Sequence, residues 1–284
     1  MEAWQNLGFT PHGAIVRLAR LAEEVGFTGV TLPEHLVNPS RVDTPNPYVP
    51  AGGAGYPPTT PFLDPWVTFG ALATATERLR FLANVYVLPL RDLFGAAKAI
   101  STAAVLSGDR VSVGVGIGWL REEFEAVGAD FSTRGRRADE MLALLPQLLR
   151  GEPFAFEGAH HSFAELRMLP AVDRPVPILV GGTSDPALRR AALAGGWIGV
   201  NHSEAELLPI LDRLAVARRS AGRDAHPFRV IVSRPASFDG STARRYADAG
   251  VTAIVHPPTT PPLGPDAPDG AHRALMEEFL ALLP

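Results

Sequence analysis

Along this chain, short branched apolar runs alternate with longer stretches in which apolar residues recur every three or four positions. The first pattern reads as buried strand and the second as amphipathic helix. Trp4–Phe9 is a short first strand. The helix Gly13–Val25 follows, with Ile15, Leu18, Ala19, Ala22 and Val25 on one face and Gly26 as its C-cap. Gly29–Leu32 is the second strand, and Pro65–Ala75 is the next helix, with Asp64 as cap and a first-turn proline. Strand Leu79–Val87, helix Leu93–Leu106, strand Arg110–Val115 and a helix opening near Glu122 continue the alternation. The later strands are Val176–Val180, Trp197–Val200, Phe228–Val232 and Val251–Val255. They are interleaved with helices Pro186–Ala194, Glu204–Ala221, Ser241–Ala249 and about Ala271–Leu282. Eight strand–helix units without a linker predict an α/β fold, a closed (β/α)8 TIM barrel occupying residues 1–284 as one domain. An open doubly wound sheet is the alternative, and the even spacing favours closure.

Two departures from a minimal barrel bear on function. The connection Leu36–Leu63 follows the second strand, so it belongs to the face on which barrel active sites are built. It is rich in proline and glycine and carries Tyr48, Tyr56 and Phe62; connections this long are often lids. With Trp66 just beyond it, this segment is expected to cover a substrate. The second departure is Ala129–Asp173, an insertion between the fourth and fifth barrel strands, whose helical part Arg136–Leu149 reads as a packing elaboration. Within the fourth strand, Val111, Val113 and Val115 alternate with Ser112, Gly114 and Gly116. One face is branched and apolar and the other nearly bare. A parallel strand normally fills both faces, so the bare one suggests a planar group lying against it.

Composition narrows the class. Hydrophobic residues make up 46% and charged residues 20%, which excludes a disordered chain. A net charge of −4 without a basic cluster argues against nucleic acid. No apolar run approaches a membrane span and no signal pattern opens the chain, so a cytoplasmic address is expected. There is no cysteine, hence no thiolate nucleophile. Lys98 is the sole lysine and sits inside a helix, which removes most Schiff-base chemistry. His160 and His161 with Glu157 do not make a metal site, because adjacent histidines cannot easily converge.

An ordered series of short motifs runs through the chain: Asp64-Pro-Trp66, Ala75-Thr-Glu-Arg-Leu-Arg80, Asn84-Val85, Leu88-Pro-Leu-Arg91 and Leu106-Ser-Gly-Asp-Arg110. Then come Gly114-Val-Gly-Ile-Gly-Trp119, Glu122-Glu-Phe124, Arg134 and Gly181-Gly-Thr-Ser184. The series resembles the luciferase-like monooxygenase superfamily, and most of all the branch that uses the deazaflavin coenzyme F420. Where that family usually has Gly-Asp-Gly-Trp, this chain has Ala194-Gly-Gly-Trp197. The resemblance implies a homodimer through barrel helices.

The candidate site follows from the residues and this resemblance together. Glu34-His35 ends the second strand at the barrel mouth, where a titratable imidazole can give or take a proton. The resemblance places the matching histidine beside the cofactor ring. Many deazaflavin members have Asp-His at this point, and Glu-His also occurs in flavin-using members. The resemblance further implies a cis peptide at Asn84-Val85, forming a bulge that supports the ring. Gly116-Ile117-Gly118 and Gly181-Gly182-Thr183-Ser184 each read as opening a helix, where free amides suit an anion. The resemblance puts the cofactor phosphate near the second. Asp185 is expected to cap the following helix, directed away from the ligand. Arg134, Arg136, Arg137, Asp139 and Glu140 read as a solvated or salt-bridged helix start.

The expected function is hydride transfer between F420 and a small, largely apolar substrate, with His35 or Glu34 managing the proton. The nearest alternative is a monooxygenase of the same superfamily using reduced FMN and oxygen. A cofactor-free barrel lyase or isomerase holding a phosphorylated substrate at Gly181–Ser184, and a non-catalytic binding protein, are more distant ones.

Overall fold

The computed structural model describes residues 1–49, 54–264 and 267–284. Eight parallel strands close into a barrel in the order β1 (Glu2–Asn6), β10 (Ala253–His256), β9 (Arg229–Ser233), β8 (Gly196–Gly199), β7 (Ile178–Gly181), β4 (Val111–Gly116), β3 (Arg80–Val87) and β2 (Gly29–Leu32). Helices α1 (His12–Val25), α2 (Pro65–Ala75), α3 (Leu93–Ser107), α6 (Asp185–Leu193), α7 (Glu204–Ser220), α8 (Gly240–Asp248) and α10 (Asp269–Leu280) return between strands. Alternation along the strands divides the core in two. Val30, Phe81, Val111, Val113 and Val115 join the large cluster under the helices. Trp4, Leu82, Leu179, Ile198, Ile231, Ala253 and Val255 fill the barrel itself. Among the described residues no helix is long and apolar enough to cross a membrane.

The bare face of β4 has a different cause from the one its sequence suggests. A Cβ on Gly114 would come within 2.5 Å of Ile198 Cδ1 and closer still to the Ala83 carbonyl. A Cβ on Gly116 would come within 2.5 Å of Val85 Cγ2. Barrel-interior packing therefore covers most of that face. Only Gly116, at the strand's end, reaches an open cavity.

The insertion holds more structure than the helix expected there. After the short α4 (Arg121–Ala126), α5 runs from Arg134 to Arg150, and β5 (Phe154–Glu157) pairs antiparallel with β6 (Ser162–Leu166). Glu140 on α5 accepts from the amides of Ala159, His160 and His161 and lies 3.1 Å from His161 Nδ1, so the paired histidines order the hairpin turn. The short β5 and β6 strands have a half-exposed face, which leaves little periodic signal in sequence.

At the same end of the barrel as the open cavity, the C-terminal ends of β1 and β10 are sealed against each other. Gln5 is fully buried and donates to the carbonyls of Asn6 and Pro257. Its amide oxygen therefore accepts from His256 Nδ1 at 3.0 Å. Burial, with Arg234 nearby, pushes the His256 pKa down to about 4. A small helix, α9 (Thr260–Leu263), follows β10, its Thr260 hydroxyl 3.5 Å from that of Thr10.

Candidate active site

The open half of the barrel mouth holds a cavity of about 690 Å³, within the range of small-molecule sites. Its lining comes from the ends of β2, β3, β4, β7 and β8, from the loops that follow them and from Phe9 after β1. His35, Glu34, Asn84, Val85, Gly116, Ile117, Gly118, Gly181, Gly182, Thr183 and Ser184 all border it. So do Tyr48, Tyr56 and Phe62 from the long connection. Part of that connection, residues 50–53, lies outside the described residues. Trp66 is not at the cavity. It is buried in the first turn of α2, edge-on to Tyr86 at 5.3 Å and to Phe69 at 5.8 Å, because the Asp64 cap turns that helix start into the core.

His35 stands at the centre of this wall. Its Nδ1 lies 3.0 Å from Glu123 Oε2, and Glu123 is 1% exposed. Its ring is boxed by Tyr56 at 4.8 Å, Phe62 at 5.0 Å and Trp119 at 6.3 Å. Glu34, beside it in sequence, turns to Arg91 at 2.6 Å. Burial pushes the Glu34 pKa up to about 8. Arg91 opposes the shift, and the charges of Asp64 and Glu123 add to it. Removing a carboxylate from water costs more here than one guanidinium returns. Its second oxygen, Oε2, is buried without a hydrogen-bond partner, as are Asn84 Oδ1 and the Tyr56 hydroxyl. Burial also raises the Tyr56 phenol, with Glu123 adding to the shift, so the hydroxyl keeps its proton.

The peptide Asn84-Val85 is cis, and the β3–β4 register shifts between Ala83 and Tyr86. Val85 lies against Gly116 and Gly181. Opposite, the loop Gly181–Ser184 leads into α6. Ser184 caps that helix, its hydroxyl accepting from the Ala187 amide, while Asp185 occupies the first turn and pairs outward with Arg213 at 2.6 Å. The cap is therefore Ser184 and not Asp185. Gly182 has φ +102°, and its carbonyl accepts from Trp197 Nε1 at 2.8 Å, which fixes the loop. Gly116–Gly118 does not open a helix directly, since α4 begins only at Arg121.

Sequence reading missed part of this wall. The first turns of α5 border the cavity through Arg134, Gly135, Arg136 and Asp139, joined by Arg190 from α6. Arg134 donates to the Gly118 carbonyl at 3.0 Å and lies over the Phe131 ring at 3.6 Å. Arg190 is held by Asp139 at 2.5 Å. These side chains make a basic rim beside the glycine loop, where an ordinary solvated or salt-bridged helix start was expected. Glu123 was also missed. Its signal was its place in the motif Glu122-Glu-Phe124, which gave it no role of its own.

Residues 4–278 match the family model described as luciferase-like monooxygenase. The chain belongs to that family. A relative of undescribed activity from Mycobacterium tuberculosis is 36% identical over 240 residues, 84% of this chain and 83% of its own. An F420-dependent glucose-6-phosphate dehydrogenase of Beutenbergia cavernae is 29% identical, over 79% of this chain and 64% of its own. Among solved structures, an F420-dependent secondary alcohol dehydrogenase in complex with an F420-acetone adduct aligns at TM-score 0.77 and 16% identity, covering 100% of this chain and 99% of its own. The oxygenating constituent of 3,6-diketocamphane monooxygenase from Pseudomonas putida, in complex with FMN, aligns at 0.62 and 17% identity over 88% of this chain and 71% of its own. The relatives of this chain thus include an F420-dependent dehydrogenase, and both solved structures share the barrel seen here.

Proposed function

We propose that this protein is an F420-dependent oxidoreductase that moves a hydride between the deazaflavin and a small, largely apolar substrate. The observation that carries the reading is convergence: His35, the Asn84-Val85 bulge and the Gly181–Ser184 loop border one cavity. The residues fit the cofactor. Gly116 and Gly181, on either side of Val85, leave a stretch of wall with little side chain, and the glycine loop at the α6 start offers free amides for a phosphate. Arg136 adds positive charge, and Arg134 and Arg190 frame it.

A bound deazaflavin supplies hydride exchange at C5 of its ring and lacks the nitrogen through which reduced flavins activate oxygen. The chain's own residues do the rest. His35 handles the coupled proton, with Glu34 as a protonated neighbour. Tyr48, Tyr56 and Phe62 cover the substrate and exclude water. The unpartnered Tyr56 hydroxyl beside His35 favours a substrate with an oxygen function on an apolar frame. The F420 dependence of the Beutenbergia relative supports the same cofactor.

Titration with oxidised F420 and, separately, with FMN tests the reading. Saturable F420 binding and bleaching of its visible band on adding small secondary alcohols is the expected result. Binding of reduced FMN with oxygen uptake, and none of F420, makes the protein a monooxygenase instead. A second part of the reading is a homodimer through barrel helices. It is supported by α2, whose exposed face carries Val67, Ala71 and Thr74 without a charge. Light scattering giving a monomer mass removes it.

A further inference from the structure

The two nitrogens of a histidine are not equivalent, and the partner of one decides what the other can do. Glu123 sits in the first turn of α4, just past the glycine-rich end of β4, with 1% of its surface exposed. Its Oε1 accepts from the Leu36 amide at 2.8 Å. Its Oε2 faces His35 Nδ1 at 3.0 Å. An ionised carboxylate has only lone pairs to offer, so a neutral imidazole facing one would carry its hydrogen on Nδ1 and keep the lone pair on Nε2. Nε2 has no hydrogen-bond partner among the described residues, on a ring that borders the cavity. The neighbouring Glu122 turns elsewhere, accepting from the amides of Asp43 and Thr44 and from the Thr44 hydroxyl.

We propose that Glu123 is a positioning residue that locks His35 in the Nδ1–H tautomer, making Nε2 the atom that takes the proton during hydride transfer. In the oxidative direction the substrate's C–H bond breaks with its electron pair, and the hydride goes to oxidised deazaflavin. The hydroxyl O–H breaks toward His35 Nε2, and the C=O bond forms. The reverse direction returns both. The catalytic consequence rests on the function proposed above; the tautomer does not.

Glutamine at 123 makes a discriminating variant. The Leu36 amide still demands an oxygen, so the glutamine NH₂ must face Nδ1. Nδ1 then becomes the acceptor and the ring hydrogen moves to Nε2. Nitrogen-15 NMR of the ring, with His35 assigned by the signals lost in His35→Gln, reads this directly at pH 9 without cofactor or substrate. The expected wild-type spectrum is Nδ1–H, inverted in Glu123→Gln and retained in Glu122→Gln. Single-turnover hydride transfer in Glu123→Gln should fall by ~10²-fold or more while F420 affinity changes little. A wild-type ring protonated at Nε2 overturns the proposal without needing any variant. So does a Glu123→Gln ring with the wild-type tautomer, or an inverted ring with an undiminished rate. Failure of wild-type protein to bind F420 removes the proposed function but leaves the tautomer result standing.

Discussion

Arg91 Nη2 lies 2.6 Å from Glu34 Oε1, yet Glu34 is held as a carboxylic acid into the neutral range. Glu34 is almost wholly buried beside a partly exposed Arg91, with Asp64 and Glu123 close enough to oppose a further negative charge.

That arrangement has a pH signature. The folded pKa of Glu34, about 8, is above its ordinary value of 4.5, so folding takes up a proton between these limits. The stabilisation is complete below about pH 4.5 and lost as pH rises through about 8. Glu34→Gln mimics the protonated acid. It should match wild type in melting temperature near pH 5 and exceed it near pH 8.5. Thermal scans at both values check this. A variant destabilised equally at both would mean that Arg91 had lost an ionised partner.

His35→Ala separates chemistry from packing. Single-turnover hydride transfer should fall by ~10²–10⁴-fold, the usual worth of a general acid–base group, with F420 affinity little altered. The box of Tyr56, Phe62 and Trp119 also loses its centre, so the melting temperature should drop. A lower melting temperature with a normal transfer rate would reduce His35 to a packing residue.

The glycine loop can be tested without touching the proton. Gly182 has φ +102°, and a Cβ there would meet Ala187 Cβ at 3.1 Å. Gly182→Ala should cost about 1 kcal/mol of stability and weaken F420 binding ~10-fold, with a normal transfer rate at saturation. Equilibrium titration followed by single turnover gives both numbers. Undiminished affinity would place the phosphate elsewhere.

Gly114→Ala addresses the bare strand face. The new methyl would press on the Ala83 carbonyl, which belongs to the strand ladder and cannot retreat, and on Ile198 Cδ1 at 2.5 Å. A loss of about 1–3 kcal/mol is expected, read from the denaturation midpoint. Gly70 on α2, where an added methyl would meet no atom within 4 Å, should tolerate or gain from the same change. Equal effects at the two positions would show that interior crowding does not explain the face.

The barrel was legible because strand runs and helical faces repeat eight times, and the ends of α1 and α2 carry plain stop and start residues. The residues at His35, Asn84 and Gly181 could be found because strand ends in a barrel must converge on one face. What stayed hidden depended on distance in sequence. Glu123 meets His35 across 88 positions, and the basic rim of Arg134 and Arg136 gains its meaning from the β7–α6 loop far downstream. Trp66 misled for the opposite reason: it adjoins the connection in sequence while its helix start faces inward. The valines of β4 showed a one-sided strand, but only the position of Ile198 explains why the other side is empty.

The seal formed by Gln5 and His256 divides the molecule's tolerance for change. Among the described residues, none that lines the cavity comes from the chain beyond His202, so strands β9 and β10 and their helices carry the barrel without bordering the cavity. Substitutions in that closing third can alter heat resistance, solubility or assembly while leaving selectivity intact. Changes in the long connection after β2 can retune selectivity without endangering closure of the ring. An engineer, or a diverging lineage, can therefore adjust the two properties separately.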